Sequence, residues 1–319
     1  MAPRRQPLRV ASLLPSATEI VYTLGLGQEL IAVTHECDYP PGAASKHAVT
    51  RSLLASDLPS AEIDHIVRAS ARDAHTIYEL NAELLIELAP DVVLTQSLCE
   101  VCAVPRSAVQ EAICTMPAAA LVVSLDPHTL YGVLDSIIAA GEALNVPERA
   151  REVVVGLRKR IDAVRASVEG AIRQRVLCIE WLDPIYRGGH WIPEQVAMAG
   201  GEDALGRPGE PSTVLAWKEV VDYAPEVIVL MPCGFDDAHA AGRLAELSIR
   251  PGWDELPAVR QQHVFAVDGS AFFSRPGPRL IDGIELLAAI FHPHGTAKPP
   301  ADASILRLTR NGGFEPYLG

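Results

Sequence analysis

A chain of 319 residues, 49% hydrophobic and 21% charged, is too long for one ordinary core and has a globular makeup, so two lobes are expected and extensive disorder is excluded. Its 40 acidic residues against 27 basic ones leave a net charge of −13, which excludes nucleic acid or an anionic membrane surface as the main partner. No apolar run reaches the ~20 residues of a membrane-spanning helix, so no membrane insertion is expected.

Residues 8–14 form a short apolar run that reads as a buried strand, followed by Ser16-Ala17-Thr18-Glu19, a capping-box pattern that opens a helix ending near Gly25 and Gly27. A second strand is expected over 30–34, then a loop from His35 through Cys37, Asp38 and Tyr39 to the paired Pro40 and Pro41. The spacing of Ile77, Leu80, Leu84, Leu85 and Leu88 predicts a helix over 76–89 that Pro90 stops. Val92 to Thr95 is a third strand, with a loop carrying Cys99, Glu100 and Cys102 at its carboxyl end. A helix over 106–113 and a strand over 119–124 complete a βαβ series.

The stretch 126–170 is mostly helical. Ala150, Val153, Val154, Leu157, Ile161, Val164 and Val168 make one apolar stripe on a helix from Pro147 to Glu169, roughly 35 Å long at 1.5 Å per residue. Beyond it come a strand over 175–181, a Gly-rich loop to Pro193 and a helix to Ala199. Leu88-Ala-Pro-Asp-Val-Val-Leu94 then recurs as Tyr223-Ala-Pro-Glu-Val-Ile-Val229, an echo that marks duplicated architecture. A strand over 263–267 and a helix over 278–291 follow. The expected organisation is an N-terminal α/β lobe over 1–125, a linking backbone-helix region over 126–170, a C-terminal α/β lobe over 171–292 and a surface tail over 293–319. The fold class is α/β: two Rossmann-like lobes with mainly parallel sheets, joined by a long backbone helix, with a ligand cleft between the lobes.

Ligands of open parallel sheets bind outside the carboxyl ends of the strands. Those loops offer Ser16, Thr18, Cys37, Tyr39, Cys99, Glu100 and Cys102 from the first half, and Glu180, Trp181, Tyr186, Arg187, His190, Trp191, Cys233 and Phe235 from the second. Two of the four tryptophans, Trp181 and Trp191, sit in one Gly-rich segment; they either pack the rim or line a planar ligand. Cys99-Glu-Val-Cys102 has a spacing that chelates zinc or iron, here with Cys37 and a fourth ligand such as His35 or His190; it also suits a redox pair or plain loop thiols. Without G-x-S-x-G, a Walker loop or H-E-x-x-H, nothing nominates a nucleophile, and no enzymatic activity is expected.

The segment Arg9-Val-Ala-Ser-Leu-Leu-Pro-Ser-Ala-Thr-Glu19, Gly25-Leu-Gly27, Asp38-Tyr-Pro40 and Leu88-Ala-Pro-Asp-Val-Val93 together resemble the helical-backbone periplasmic binding proteins. These are the substrate-binding components of ABC importers for vitamin B12 and iron siderophores, and the resemblance is to the cobalamin-binding branch. It implies a monomer that holds cobalamin, another corrinoid or tetrapyrrole, or a metal chelate, and that changes little in lobe orientation on binding. By that resemblance Tyr39 contacts the corrin; of the loop residues named above, Trp181 and Trp191 are expected to add stacking area, and Ser16, Thr18, Glu180, Tyr186 and Arg187 further contacts. His190 is either an axial ligand or a structural histidine.

The resemblance also implies docking on an ABC permease through a glutamate in each lobe. Glu83 fits in the first half, whereas the same count in the second gives Lys218, with Glu219 beside it. Residues after Arg4 and Arg5 hold no signal-peptide core, so a cytoplasmic, non-transport member is expected, with an extracytoplasmic protein as the alternative if the true start lies upstream. The functional alternative is a cysteine-dependent metal-binding or redox protein on the same fold.

Overall fold

Short β-branched runs bounded by Gly, Pro and Asn form the strands, and helices begin at prolines or polar caps between them. The structure is a computed structural model and describes residues 7–55, 58–72, 76–96, 106–116 and 119–317. The chain divides into two compact units: the first runs to Pro127 and resumes over Tyr131–Gly156, while the second takes His128–Leu130 and everything from Leu157 onward.

The first unit contains β1 (Val10–Ser12), α1 (Pro15–Thr23), β2 (Leu30–Val33), β3 (His47–Ala48), β4 (Thr50–Ser52), α2 (Ser60–Arg72), β5 (Tyr78–Leu80), α3 (Ala82–Leu88), β6 (Val92–Thr95), α4 (Arg106–Cys114), β7 (Leu121–Ser124) and, from its second residue on, α5 (Leu130–Ala143). Its five-stranded sheet has the order β3-β2-β1-β6-β7, with every pairing parallel. Ala11, Leu13, Val93, Leu85 and Val109 form a buried cluster around the sheet. The helix α6 (Pro147–Ser167) crosses from this unit into the second. The region 126–170 is therefore two successive helices.

The second unit contains β8 (Val176–Leu182), β9 (Ile185–Arg187), α7 (Ile192–Met198), α8 (Trp217–Tyr223), β10 (Val227–Leu230), α9 (Asp237–Gly242), α10 (Ala245–Ser248), α11 (Pro257–Arg260), β11 (Val264–Val267), α12 (Leu280–Phe291), β12 (Ile305–Leu308) and β13 (Phe314–Pro316). Its sheet has the order β13-β12-β11-β10-β8-β9. The centre, β8-β10-β11, is parallel, and β9, β12 and β13 add antiparallel edges. Leu177, Ile179, Ile228, Leu230, Trp253 and Val264 lie in its core. On α6, Arg160 donates to Glu285 of α12 at 2.8 and 2.7 Å and to Asp282, which raises the guanidinium's pKa.

Three expectations are corrected. Residues 76–89 are not one helix: Tyr78–Leu80 pairs antiparallel with β4, and Asn81 caps α3 by accepting the Leu84 N–H at 3.0 Å. The apolar spacing suited a helix, but the cap starts the helix after the strand. The capping box at Ser16 is absent, because Pro15 opens α1 and no side chain caps it. The 293–319 segment is not a surface tail; β12 and β13 extend the second sheet.

The echo in sequence extends to individual hydrogen bonds. Both α3 and α8 close on an alanine in the left-handed region, Ala89 at φ 38° and Ala224 at φ 49°. Arg9 donates through its side chain to the Leu88 and Ala89 carbonyls, and its N–H reaches Asp91 Oδ2 at 2.8 Å. Arg175 does the same to the Ala224 carbonyl, with its N–H on Glu226 Oε2 at 2.9 Å. In each half a guanidinium satisfies carbonyls that a helix end leaves open. Because L-residues resist this backbone region, Ala89→Gly and Ala224→Gly should each stabilise the protein by about 0.5–1 kcal/mol. Urea unfolding measures this, and a lowered midpoint in either variant contradicts it.

Candidate functional site

In each unit the parallel strands bring several loops to one edge. In the first, the helix α1 that follows β1 starts with buried residues: Ser16 is 2% exposed and Thr18 is 0% exposed. Thr18 Oγ1 lies 2.9 Å from Ser12 Oγ and 3.1 Å from Cys37 Sγ, and Thr34 Oγ1 is also 3.1 Å from that sulfur. Ser16 and Thr18 thus belong to the interior, and Thr18 and Cys37 share a buried hydroxyl–thiol network that ties the β1 and β2 loops together. Tyr39, by contrast, is 38% exposed. Beside it in sequence, His35 Nδ1 lies 2.8 Å from Thr50 Oγ1 and its ring is 5.1 Å from Tyr78, whose hydroxyl donates to Glu36 at 2.6 Å. Burial lowers the His35 pKa, against the opposing pull of Glu36.

The metal expectation at the cysteines gains no support. Cys99 and Cys102 lie outside the described residues, and Cys37 is buried among hydroxyls. Among the described residues no group of three or more His, Cys, Asp or Glu side chains is placed to hold a metal ion.

The second unit carries the richer edge. Segment 183–193, read as a loop, includes β9, which folds back on β8 with Trp181 opposite Tyr186 and Ile179 opposite Arg187. This hairpin receives the connection 201–216: the Arg187 N–H donates to the Thr213 carbonyl at 3.2 Å, and the Leu215 N–H to the Ile185 carbonyl at 2.8 Å. Glu180 locks the same connection. It accepts hydrogen bonds from Ser212 Oγ and from the Gly189 N–H, the latter at 3.0 Å. Gly189 is required there, since a Cβ would stand 2.3 Å from the Ser212 nitrogen. Burial raises the Glu180 pKa to about 7, helped by the Asp203 carboxylate and opposed by the two hydrogen bonds. Asp203 is itself raised to about 6 by burial, although it accepts the Leu205 and Gly206 N–H groups.

The two tryptophans separate. Trp191 is 4% exposed, with its indole N–H donating to the Phe273 carbonyl at 2.7 Å and its ring stacked on His190, so it packs the interior. Trp181 is only partly buried and meets Phe235 of the β10 loop at 5.6 Å between centroids. Phe235 in turn meets His239 at 6.3 Å and lies under the Arg243 guanidinium at 5.5 Å. His190 stands in the left-handed region at φ 48°, its ring 5.4 Å from Trp191 and 5.8 Å from His128. Burial, with His128 adding to it, lowers its pKa.

Sequence reading missed Ser212, Asp203 and His128. Each is distant in sequence from its partner and follows no periodicity; only the bare Gly188-Gly189 pair signalled a close backbone approach. At the proposed docking positions, α3 and α8 are both 7 residues long and end alike, so the counterpart of exposed Glu83 is Lys218. Lys218 pairs with Asp222 at 2.5 Å, and Glu219 accepts the Ala216 N–H at 2.9 Å as part of the helix start.

Comparison with known proteins places the chain. It is 26% identical to an uncharacterized ABC transporter substrate-binding lipoprotein, YvrC of Bacillus subtilis, over 91% of this chain and 82% of that protein. It is 25% identical to a vitamin B12-binding protein of Vibrio parahaemolyticus over 86% of each. The structure matches the periplasmic heme-binding protein RhuT of Roseiflexus sp. RS-1 with a TM-score of 0.69 and 21% identity, over 90% of this chain and 99% of that one. The cytoplasmic expectation is corrected by these relatives, one a lipoprotein and another periplasmic. It rested on the first residues alone, which do not report where the folded units work. The family model described as periplasmic binding protein matches residues 10–271, and the chain belongs to that family.

Proposed function

We propose that this protein binds a cobalamin-type corrinoid, or a related planar metal chelate, as the extracytoplasmic substrate-binding component of an ABC importer. The observation that carries the reading is the Trp181–Phe235 pair at the carboxyl edge of the second sheet, a partly open aromatic surface with Arg243 over one ring. Such a surface suits a flat macrocycle with carboxylate or amide substituents: ring faces stack, and the guanidinium meets acceptors. Tyr186 and Arg187 on β9 extend that edge, and Tyr39 is the first unit's candidate contact. Glu180 acts through the loops it holds, because both its oxygens are engaged by Ser212 and Gly189. The similarity to a vitamin B12-binding protein supports the same ligand class. No covalent step belongs to this reading. Glu83, exposed in the first turn of α3, is the candidate contact to a permease.

Calorimetry with aquocobalamin, aquocobinamide and haemin tests the ligand class. A corrinoid should bind one per chain, and Trp181→Ala should weaken it about tenfold, the worth of one good aromatic contact. Absence of heat with all three ligands would remove this class; preference for haemin would move the assignment to tetrapyrroles of iron.

A further inference from the structure

The sharpest unexplained group in the second unit is His190. A histidine at φ 48° is held in a costly conformation, and the hold is specific: its N–H donates to the Glu210 carbonyl at 2.6 Å, and its carbonyl accepts the Gly209 N–H at 2.8 Å. Trp191 stacks against the imidazole at 27°, and Trp191 is itself fixed by its bond to Phe273. Yet His190 Nδ1 is buried with no hydrogen-bond partner among the described residues. A buried ring nitrogen in a rigid setting, left without a partner, asks for a function.

The neighbour is His128, exposed and belonging to the same unit. Its segment is fixed two residues later, where the Leu130 N–H donates to Glu194 Oε2 at 2.7 Å. The two imidazole centroids are 5.8 Å apart with their planes at 44°. Imidazoles sharing one ion at metal–nitrogen distances of about 2.0–2.1 Å have centroids roughly 5–6.4 Å apart, the lower end for tetrahedral and the upper for linear coordination. The observed separation falls inside that range.

We propose that His128 and His190 form a two-imidazole site for a borderline divalent transition-metal ion such as Ni²⁺, Co²⁺ or Zn²⁺. Imidazole is a favoured ligand for these ions. Because no third His, Cys, Asp or Glu joins the pair among the described residues, the remaining coordination positions face water or a small chelator carried by the ion. That selects a free ion or an open chelate. A corrin or haem already fills the four equatorial positions, so the site stands independently of the planar-ligand reading at Trp181 and Phe235.

The test is calorimetric titration of untagged, chelator-stripped protein with NiCl₂ alone, in the wild type, His128→Ala, His190→Asn and His239→Ala. Asparagine tolerates the left-handed backbone, so His190→Asn removes the ring without forcing the loop to refold. His128 is exposed, and circular dichroism confirms that each variant is folded. One ion per chain should bind the wild type, and each of His128→Ala and His190→Asn should weaken it at least about tenfold, while His239→Ala leaves it unchanged. No stoichiometric binding in the wild type overturns the proposal, and so does wild-type affinity in either the His128 or the His190 variant, or an equal loss in His239→Ala. Because the probe is the metal alone, these outcomes are independent of whether a corrinoid binds.

Discussion

Trp191→Ala should destabilise the second unit by about 3–5 kcal/mol, the usual range for deleting a buried tryptophan, and Trp191→Phe by about 1–2 kcal/mol. The indole is 4% exposed, its ring lies against His190, and its N–H holds the Phe273 carbonyl in the turn before α12. Truncation to alanine opens a cavity where the buried indole stood and leaves the Phe273 carbonyl without its donor. Phenylalanine refills most of the volume and loses only the hydrogen bond. Since a domain is stable by about 5–15 kcal/mol, the alanine variant stands near the limit of folding. Urea unfolding followed by a probe in the second unit reads the effect; two units do not guarantee one transition. A loss below about 1 kcal/mol for the alanine variant would mean that Trp191 is not packed as described. Trp181→Ala is the counterpart: partly exposed at the sheet edge, it should cost little stability and act on ligand affinity.

The contrast between these tryptophans marks what sequence could and could not tell. Val92 to Thr95 and the echo at 223–229 were legible because a β-branched run after Ala-Pro has few other solutions, and the shared Arg9 and Arg175 contacts follow from the same local geometry. Trp181 and Trp191 share a short polar segment, and no periodicity distinguishes them. The assignment depends on a three-residue strand, β9, that turns Trp181 to the edge and leads Trp191 into the interior. Ser16 and Thr18 were misplaced for a related reason. Small polar residues after a strand look like ligand contacts, whereas here both are buried, and Thr18 joins Ser12 in a network with Cys37. Partners such as Glu180 and Ser212, 32 residues apart, are visible only once the connection 201–216 folds back.

Glu180→Gln should flatten the pH dependence of stability. Burial, with the Asp203 carboxylate adding to it, raises the Glu180 pKa from 4.5 to about 7, so the folded protein binds this proton more tightly than the unfolded chain. The stability this contributes is fully present below about pH 4.5 and is lost as the pH rises through about 7. At 1.36 kcal/mol per unit, and allowing for partial solvent access, wild-type stability should fall by about 2–3 kcal/mol across that window from this group. Asp203, raised from 3.8 to about 6, adds a second decline at lower pH. Glutamine keeps an acceptor for the Gly189 N–H and can donate to Ser212 Oγ, so the loops stay joined without a titrating charge. The variant should retain the Asp203 decline up to about pH 6 and lose the slope from 6 to 7 that the wild type shows. Urea midpoints at pH 5, 6, 7 and 8 decide it. Equal slopes in both proteins would mean that Glu180 is ionised throughout, and a wild-type midpoint unaffected by the substitution at pH 8 would mean that the buried charge carries no penalty.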